Sequence, residues 1–147
     1  MQIVLVAQDG KKPLLREWAT RHRRTLAGHD LTATAGTARV LVELGFTVRA
    51  LASGPIGGDL HAAHIVATEQ PGACIFFRDP MTWPAHDADV AALVRLAILH
   101  NVALAQNEQT ADAVLAAHVG PPALDDHAPV ASHSLRAGRP EAQPTPV

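Results

Sequence analysis

Five short apolar runs, at residues 2–7, 31–34, 46–51, 73–77 and 102–105, alternate along this chain with stretches of helical periodicity. The runs are rich in Val, Ile, Leu and Phe and lack a strict polar alternation, which is the pattern of strands buried on both faces. Between them, Leu14, Leu15, Trp18 and Leu26 fall on one helical face. Pro13 stands where a first helical turn tolerates it, and a glycine at position 28 closes the segment. Further helices are expected over 36–44, 59–69, 87–100 and 108–116. Strands buried on both faces need a helical layer on each side. The pattern therefore predicts an α/β fold, a three-layer, doubly wound, mainly parallel five-stranded sheet.

At 147 residues the chain has room for one such domain. Six of its eleven prolines lie between Pro121 and Pro146, with no periodic apolar face among them. Residues 1–117 are accordingly expected to be the folded domain, and 118–147 an extended or mobile tail. The formal net charge of −2 and the absence of tyrosine argue against a nucleic-acid partner, which would call for clustered basic charge and stacking aromatics. The single cysteine, Cys74, excludes an internal disulfide and cysteine-based zinc sites. The first apolar run is too short to span a membrane and has no basic segment before it, so a soluble, cytoplasmic protein with no membrane partner is expected.

In open α/β sheets the ligand sits at the carboxyl ends of the strands. The residues just after each run are Gln8 and Asp9 with Lys11 and Lys12, then Thr34 to Thr37, then Ser53-Gly54-Pro55-Ile56-Gly57-Gly58-Asp59, then Asp79, then Gln106 and Asn107. Two of these segments put hydroxyls and glycines directly before an expected helix. Freed amides, hydroxyl donors, a helix N-terminus and a lysine together suit a phosphate group. The blander reading is that Thr34, Thr37 and Ser53 only cap helices. Lys11 and Lys12 are the only lysines, against ten arginines. No P-loop, G-x-G-x-x-G or G-x-S-x-G motif is present, which sets aside P-loop nucleotidases, dinucleotide sites and nucleophile-elbow hydrolases. A receiver domain would need a lysine where the fifth run ends in Asn107.

From about Ile3 to Ala116 the sequence resembles the methylglyoxal synthases. The resemblance is carried by Val6-Ala-Gln-Asp9 with Lys12, by Ala33-Thr34 with Thr37, and by Leu51 to Asp59. It continues in Phe76-Phe-Arg-Asp-Pro80, His86-Asp-Ala-Asp89, Leu93 to Ala97, and Asn107 with Thr110-Ala-Asp112. It implies conversion of dihydroxyacetone phosphate to methylglyoxal and inorganic phosphate with no cofactor and no metal. Carried over by position, Asp59 is the general base and His86 the histidine beside the reacting oxygens. Asp9, Asp79 and Asp89 are active-site carboxylates, and Lys12, Thr34, Gly36, Thr37, Ser53 and Gly54 surround the phosphate. Partners implied are a phosphorylated triose substrate, inorganic phosphate as product and inhibitor, and five further copies of the chain in a homohexamer. The apolar positions Leu93, Leu96 and Ile98 are read as supporting that assembly. Arg136 and Arg139 are the candidates for an arginine reaching a neighbouring site.

These residue types suit the chemistry. Removing a proton beside a carbonyl needs a carboxylate in reach and help for the developing enediolate. Crowded carboxylates are expected to raise at least one pKa and so keep a proton donor available. Duller roles exist for each: Asp59 as a helix N-cap, His86 as a surface histidine, Asp87 and Asp89 as first-turn carboxylates. His61 and His64 imitate half a metal site and are read as solvated or packing residues. The sequence departs from the family at Gln8, where a histidine is usual, at Ala35-Gly36-Thr37, at Leu60-His61 and at Ala85. The alternative from another class is a non-catalytic phosphometabolite-binding regulatory module of the same fold, which would not require Asp59, His86 and Asp89 together.

Overall fold

A computed structural model describes residues 1–82 and 87–119. All five strands are parallel, in the spatial order β3-β2-β1-β4-β5: β1 (Gln2–Ala7), β2 (Asp30–Ala33), β3 (Val48–Ala50), β4 (Ala73–Phe77) and β5 (Ala103–Ala105). The helices are α1 (Lys12–Arg21), α2 (Arg23–Leu26), α3 (Ala35–Glu43), α4 (Gly58–Thr68), α5 (Asp87–Leu99) and α6 (Glu108–Val119). The period-2 pleat divides the core in two. Ile3 and Leu5 of β1, with Ile75 and Phe77 of β4, pack with Leu15, Trp18, Leu41 and Leu115 of α1, α3 and α6. Val4 and Val6, with Cys74 and Phe76, pack on the other face with Ala62 and Val66 of α4 and Val90 and Leu93 of α5. Cys74 is fully buried there, and burial pushes its thiol up to about 12.

Element order explains the location of the site. From the centre the chain winds outward through β2 and β3 with helices on one face. It then returns to β4 and β5 with helices on the other, as right-handed crossovers require. The winding reverses between β1 and β4, where Ala7 is level with Phe77, and connections leave a crevice at such a reversal.

Three expectations are corrected. The helix expected over 13–28 is two helices, because the backbone turns out of helical geometry at His22 (φ −97°, ψ 17°). There the His22 ring leans on Trp18, 5.0 Å between centroids, and its Nε2 meets Asp112 Oδ1 at 2.8 Å. The third strand is shorter than 46–51, since Phe46 turns inward to the core and its N–H goes to Leu41 O at 3.1 Å, closing α3 past Gly45 (φ +85°). Leu93 is fully buried and Leu96 packs on the same core, so of the three residues read as surplus only Ile98, 71% exposed, is free of it. The expected tail lies outside the described residues from position 120 on, and with it Arg136 and Arg139. Among the described residues no helix is long and apolar enough to cross a membrane.

Candidate active site

The carboxyl ends of β1 to β4 are each fixed by short-range bonds that the residues after them supply. Past β1, a single 3-10 turn (Asp9–Lys11) is closed by Lys11 N–H on Gln8 O at 2.8 Å and leads into α1. This turn brings Lys12 Nζ back onto Asp9 Oδ1. The Asp9 side chain is 95% exposed and that of Lys12 28%, so the ammonium is the more enclosed partner.

Past β2, Thr34 is the N-cap of α3 but makes no capping bond with its side chain. Its hydroxyl instead meets Thr37 Oγ1 at 3.2 Å, and Thr37 Oγ1 accepts the N–H of Ala7 at 2.9 Å. Both threonines are buried. They therefore tie the start of α3 to the end of β1, which is more than the capping role their positions suggested. Gly36 lies under Lys12: a Cβ there would come within 2.9 Å of Cε and run into Nζ.

Past β3, the stretch from Ser53 to Asp59 makes a 3-10 turn (Gly54–Ile56) and then starts α4. Ser53 also caps without a side-chain bond. Gly57 has φ +98°, a left-handed conformation that glycine adopts without strain. The Gly58 N–H reaches Ser53 O at 2.8 Å, and a Cβ on Gly58 would be 2.7 Å from that carbonyl and run into Ala52 O. Asp59 is not the N-cap; Gly57 is. The Asp59 carboxylate lies in the first turn of α4, where the helix dipole favours negative charge, and is only 3% exposed.

Past β4, Asp79 gives its N–H to Gln8 Oε1 at 2.6 Å, and its own Oδ1 accepts the N–H of Met81 at 3.0 Å. The Met81 amide, the Thr82 side chain and the Lys11 charge hold the Asp79 carboxyl below its ordinary value. Crowding was expected to raise one carboxyl here; at Asp79 local donors act in the other direction.

These four segments wall one cavity of about 430 Å³. Nine of the eleven singled-out residues line it: Asp9, Lys12, Thr34, Gly36, Thr37, Ser53, Gly54, Asp59 and Asp79. Asp89 does not; it is half-buried in the first turn of α5. His86 lies outside the described residues. Gln106 and Asn107, after β5, also stay apart from the cavity, and Asn107 caps α6 through Oδ1 on the Thr110 N–H at 2.9 Å. Sequence reasoning missed the apolar floor, Val6 and Phe76. Both belong to the central strands just before their ends, a position that marks floor residues in any such sheet. Thr82 carried no signal. Among the described residues no three His, Cys, Asp or Glu side chains gather as a metal site, and His61 and His64 are exposed.

The MGS-like domain family model matches residues 15–106 of this chain. The chain belongs to the methylglyoxal synthase family. The methylglyoxal synthase of Actinobacillus pleuropneumoniae is 41% identical over 116 residues, 78% of this chain and 76% of that protein. That of Carboxydothermus hydrogenoformans is 40% identical over 118 residues, covering 80% of this chain and 98% of that one. The crystal structure of methylglyoxal synthase from Elizabethkingia anophelis aligns with a TM-score of 0.79 at 36% identity, across 96% of this chain and 93% of that chain. The five-stranded α/β architecture is thus that of the methylglyoxal synthase family, and the cavity lies at the strand ends where its fold reverses direction.

Proposed function

We propose that this protein is a methylglyoxal synthase, a lyase that converts dihydroxyacetone phosphate to methylglyoxal and inorganic phosphate. The observation that carries the reading is one cavity that holds a nearly buried carboxylate, Asp59, together with the ammonium of Lys12 and the hydroxyl-bearing turns at Thr34 and Ser53. A base and an anion cradle facing one space of about 430 Å³ are what a phosphorylated triose needs. Kinship with synthases around 40% identical supports the same reading.

In this mechanism Asp59 takes a proton from the hydroxymethyl carbon. The electron pair moves into an enediolate, whose charge grows on oxygens that His86 would polarise. As the hydroxyl on the deprotonated carbon gives up its proton and becomes the aldehyde, the pair expels phosphate with cleavage of the C–O bond. The phosphate takes up that proton, and the enolate left behind takes the proton held by Asp59 at its terminal carbon to become methylglyoxal. Lys12, with the Thr34, Gly36, Thr37, Ser53 and Gly54 segments, would hold the phosphate while its charge increases on departure. Asp9 and Asp79 complete the carboxylate set of the cavity, while Asp89, outside its lining, is carried over from the family pattern alone. Asp79, held below its ordinary value, suits an anionic role better than that of a proton donor. We place the enzyme in the cytoplasm as a homohexamer, a reading in keeping with the exposed Ile98 on α5.

Incubation with dihydroxyacetone phosphate should release methylglyoxal and phosphate in equal amounts, unchanged by EDTA. Tight binding of the substrate without release of either product would instead identify a regulatory binding module.

A further inference from the structure

Gln8 joins the two central strand ends twice. Its main-chain N–H donates to Phe77 O at 3.1 Å, and its side-chain Oε1 accepts the N–H of Asp79 at 2.6 Å. The side chain thereby extends the β1–β4 ladder past its last pair, Ala7 and Phe77. The orientation of the carboxamide follows from donor chemistry, since a backbone N–H can only be met by the oxygen. The other end of the group is left unsatisfied: among the described residues Nε2, shut off from water, has no hydrogen-bond partner. Leaving a buried donor without a partner is unfavourable. A glutamine has three side-chain torsions with which to swing that nitrogen into water, yet this one keeps its oxygen on Asp79.

Among the described residues, that bond links the segment after β4 to the end of β1. Pro80 has no N–H to contribute. The Met81 amide turns back onto Asp79 itself, so residues 79–82 close on the aspartate and not on the sheet. Both Gln8 and Asp79 line the cavity. We propose that Gln8 is a positioning residue: its carbonyl oxygen fixes where the Asp79 carboxylate stands in the cavity wall, and it affects turnover through Asp79. The proposal rests on the functional reading above and adds to it a residue that acts through Asp79. Displacing a catalytic group by about 1 Å can lower a rate by about 10²-fold, which sets the upper end of the expected effect.

Gln8→Met keeps length and bulk and removes the acceptor, whereas Gln8→Glu keeps an oxygen facing the Asp79 N–H. The methionine variant is expected to lose about 10–100-fold in kcat, with KM for dihydroxyacetone phosphate within about twofold of the wild type. The glutamate variant should return kcat to within about threefold, while its added negative charge beside an anionic substrate raises KM. Amide hydrogen exchange at Asp79 should be about tenfold or more faster in Gln8→Met than in the other two proteins. Gln8→Ala gives the same readings should the methionine variant not fold.

A methionine variant with near-normal kcat, equal loss of kcat in the methionine and glutamate variants, a defect confined to KM, or unchanged exchange at Asp79 would each overturn the proposal. Wild-type protein that makes no methylglyoxal counts against the functional reading alone. Exchange at Asp79 then decides the tether by itself.

Discussion

The backbone of Gly54 lies directly against the carboxylate of Asp59: a Cβ on Gly54 would stand 3.1 Å from Oδ2 and 3.2 Å from Oδ1. The turn after β3 therefore forms one side of the pocket that encloses the proposed base. Asp59→Asn keeps the shape of that contact and removes the basicity. Turnover should fall by about 10²–10⁴-fold, the scale of general-base catalysis, while inorganic phosphate still binds. Near-normal methylglyoxal production by the variant would remove Asp59 from the mechanism.

Gly36→Ala tests the phosphate side. The new methyl would meet the end of a flexible lysine side chain and not backbone, so the fold should survive with Lys12 pushed aside. Substrate affinity and kcat should both weaken, in the same direction as Lys12→Ala, because ground-state and departing phosphate share the contact. Steady-state kinetics with phosphate as inhibitor checks this, and unchanged phosphate inhibition would refute it.

Asp112 belongs to stability and not to the site. Its Oδ1 accepts the indole N–H of the fully buried Trp18 at 2.8 Å, linking α6 to α1. Asp112→Ala leaves that N–H without its partner and should lower stability by about 1–3 kcal/mol. Urea unfolding followed by tryptophan fluorescence measures it, and an unmoved midpoint would show that water replaces the carboxylate.

The pH dependence of one surface network can be stated with its sign. Hydrogen bonds from Gln2 and Arg49 hold Glu69 below its ordinary value of 4.5. A carboxylate stabilised in the folded state adds stability above 4.5 and loses it as the pH falls from there through the lowered folded value. The melting temperature of Glu69→Gln should accordingly lie slightly below that of the wild type at neutral pH and converge with it in acid. The gap should also shrink in salt, as expected for an exposed ion pair. A gap that widens in acid would contradict the assignment.

The strands and most helices could be read directly, because continuous β-branched runs and 3.6-residue periodicity report burial, and burial is what the sheet imposes on β1 and β4. The strand-end rule then led to the cavity residues from Asp9 to Asp79. What escaped was set by contacts between distant parts of the chain. The break at His22 coincides with an aspartate ninety residues away in sequence and has no proline or glycine to announce it. The two 3-10 turns are three residues each, too short for any period, and they decide that Lys12 and Asp59 face one space. Asn107 looked like its counterparts at the other strand ends, yet its side chain caps α6 and stays out of the cavity.

The position of Cys74 has a chemical consequence. Methylglyoxal is an electrophile that thiolates capture, and this chain would release it from its own interior. The only thiol in the chain is buried in β4 behind packed side chains, and burial pushes its pKa up to about 12, which keeps it a neutral thiol at pH 7. A catalyst that manufactures a thiol reagent thus keeps its own thiol beyond that reagent's reach, and self-inactivation would have to proceed through nitrogen.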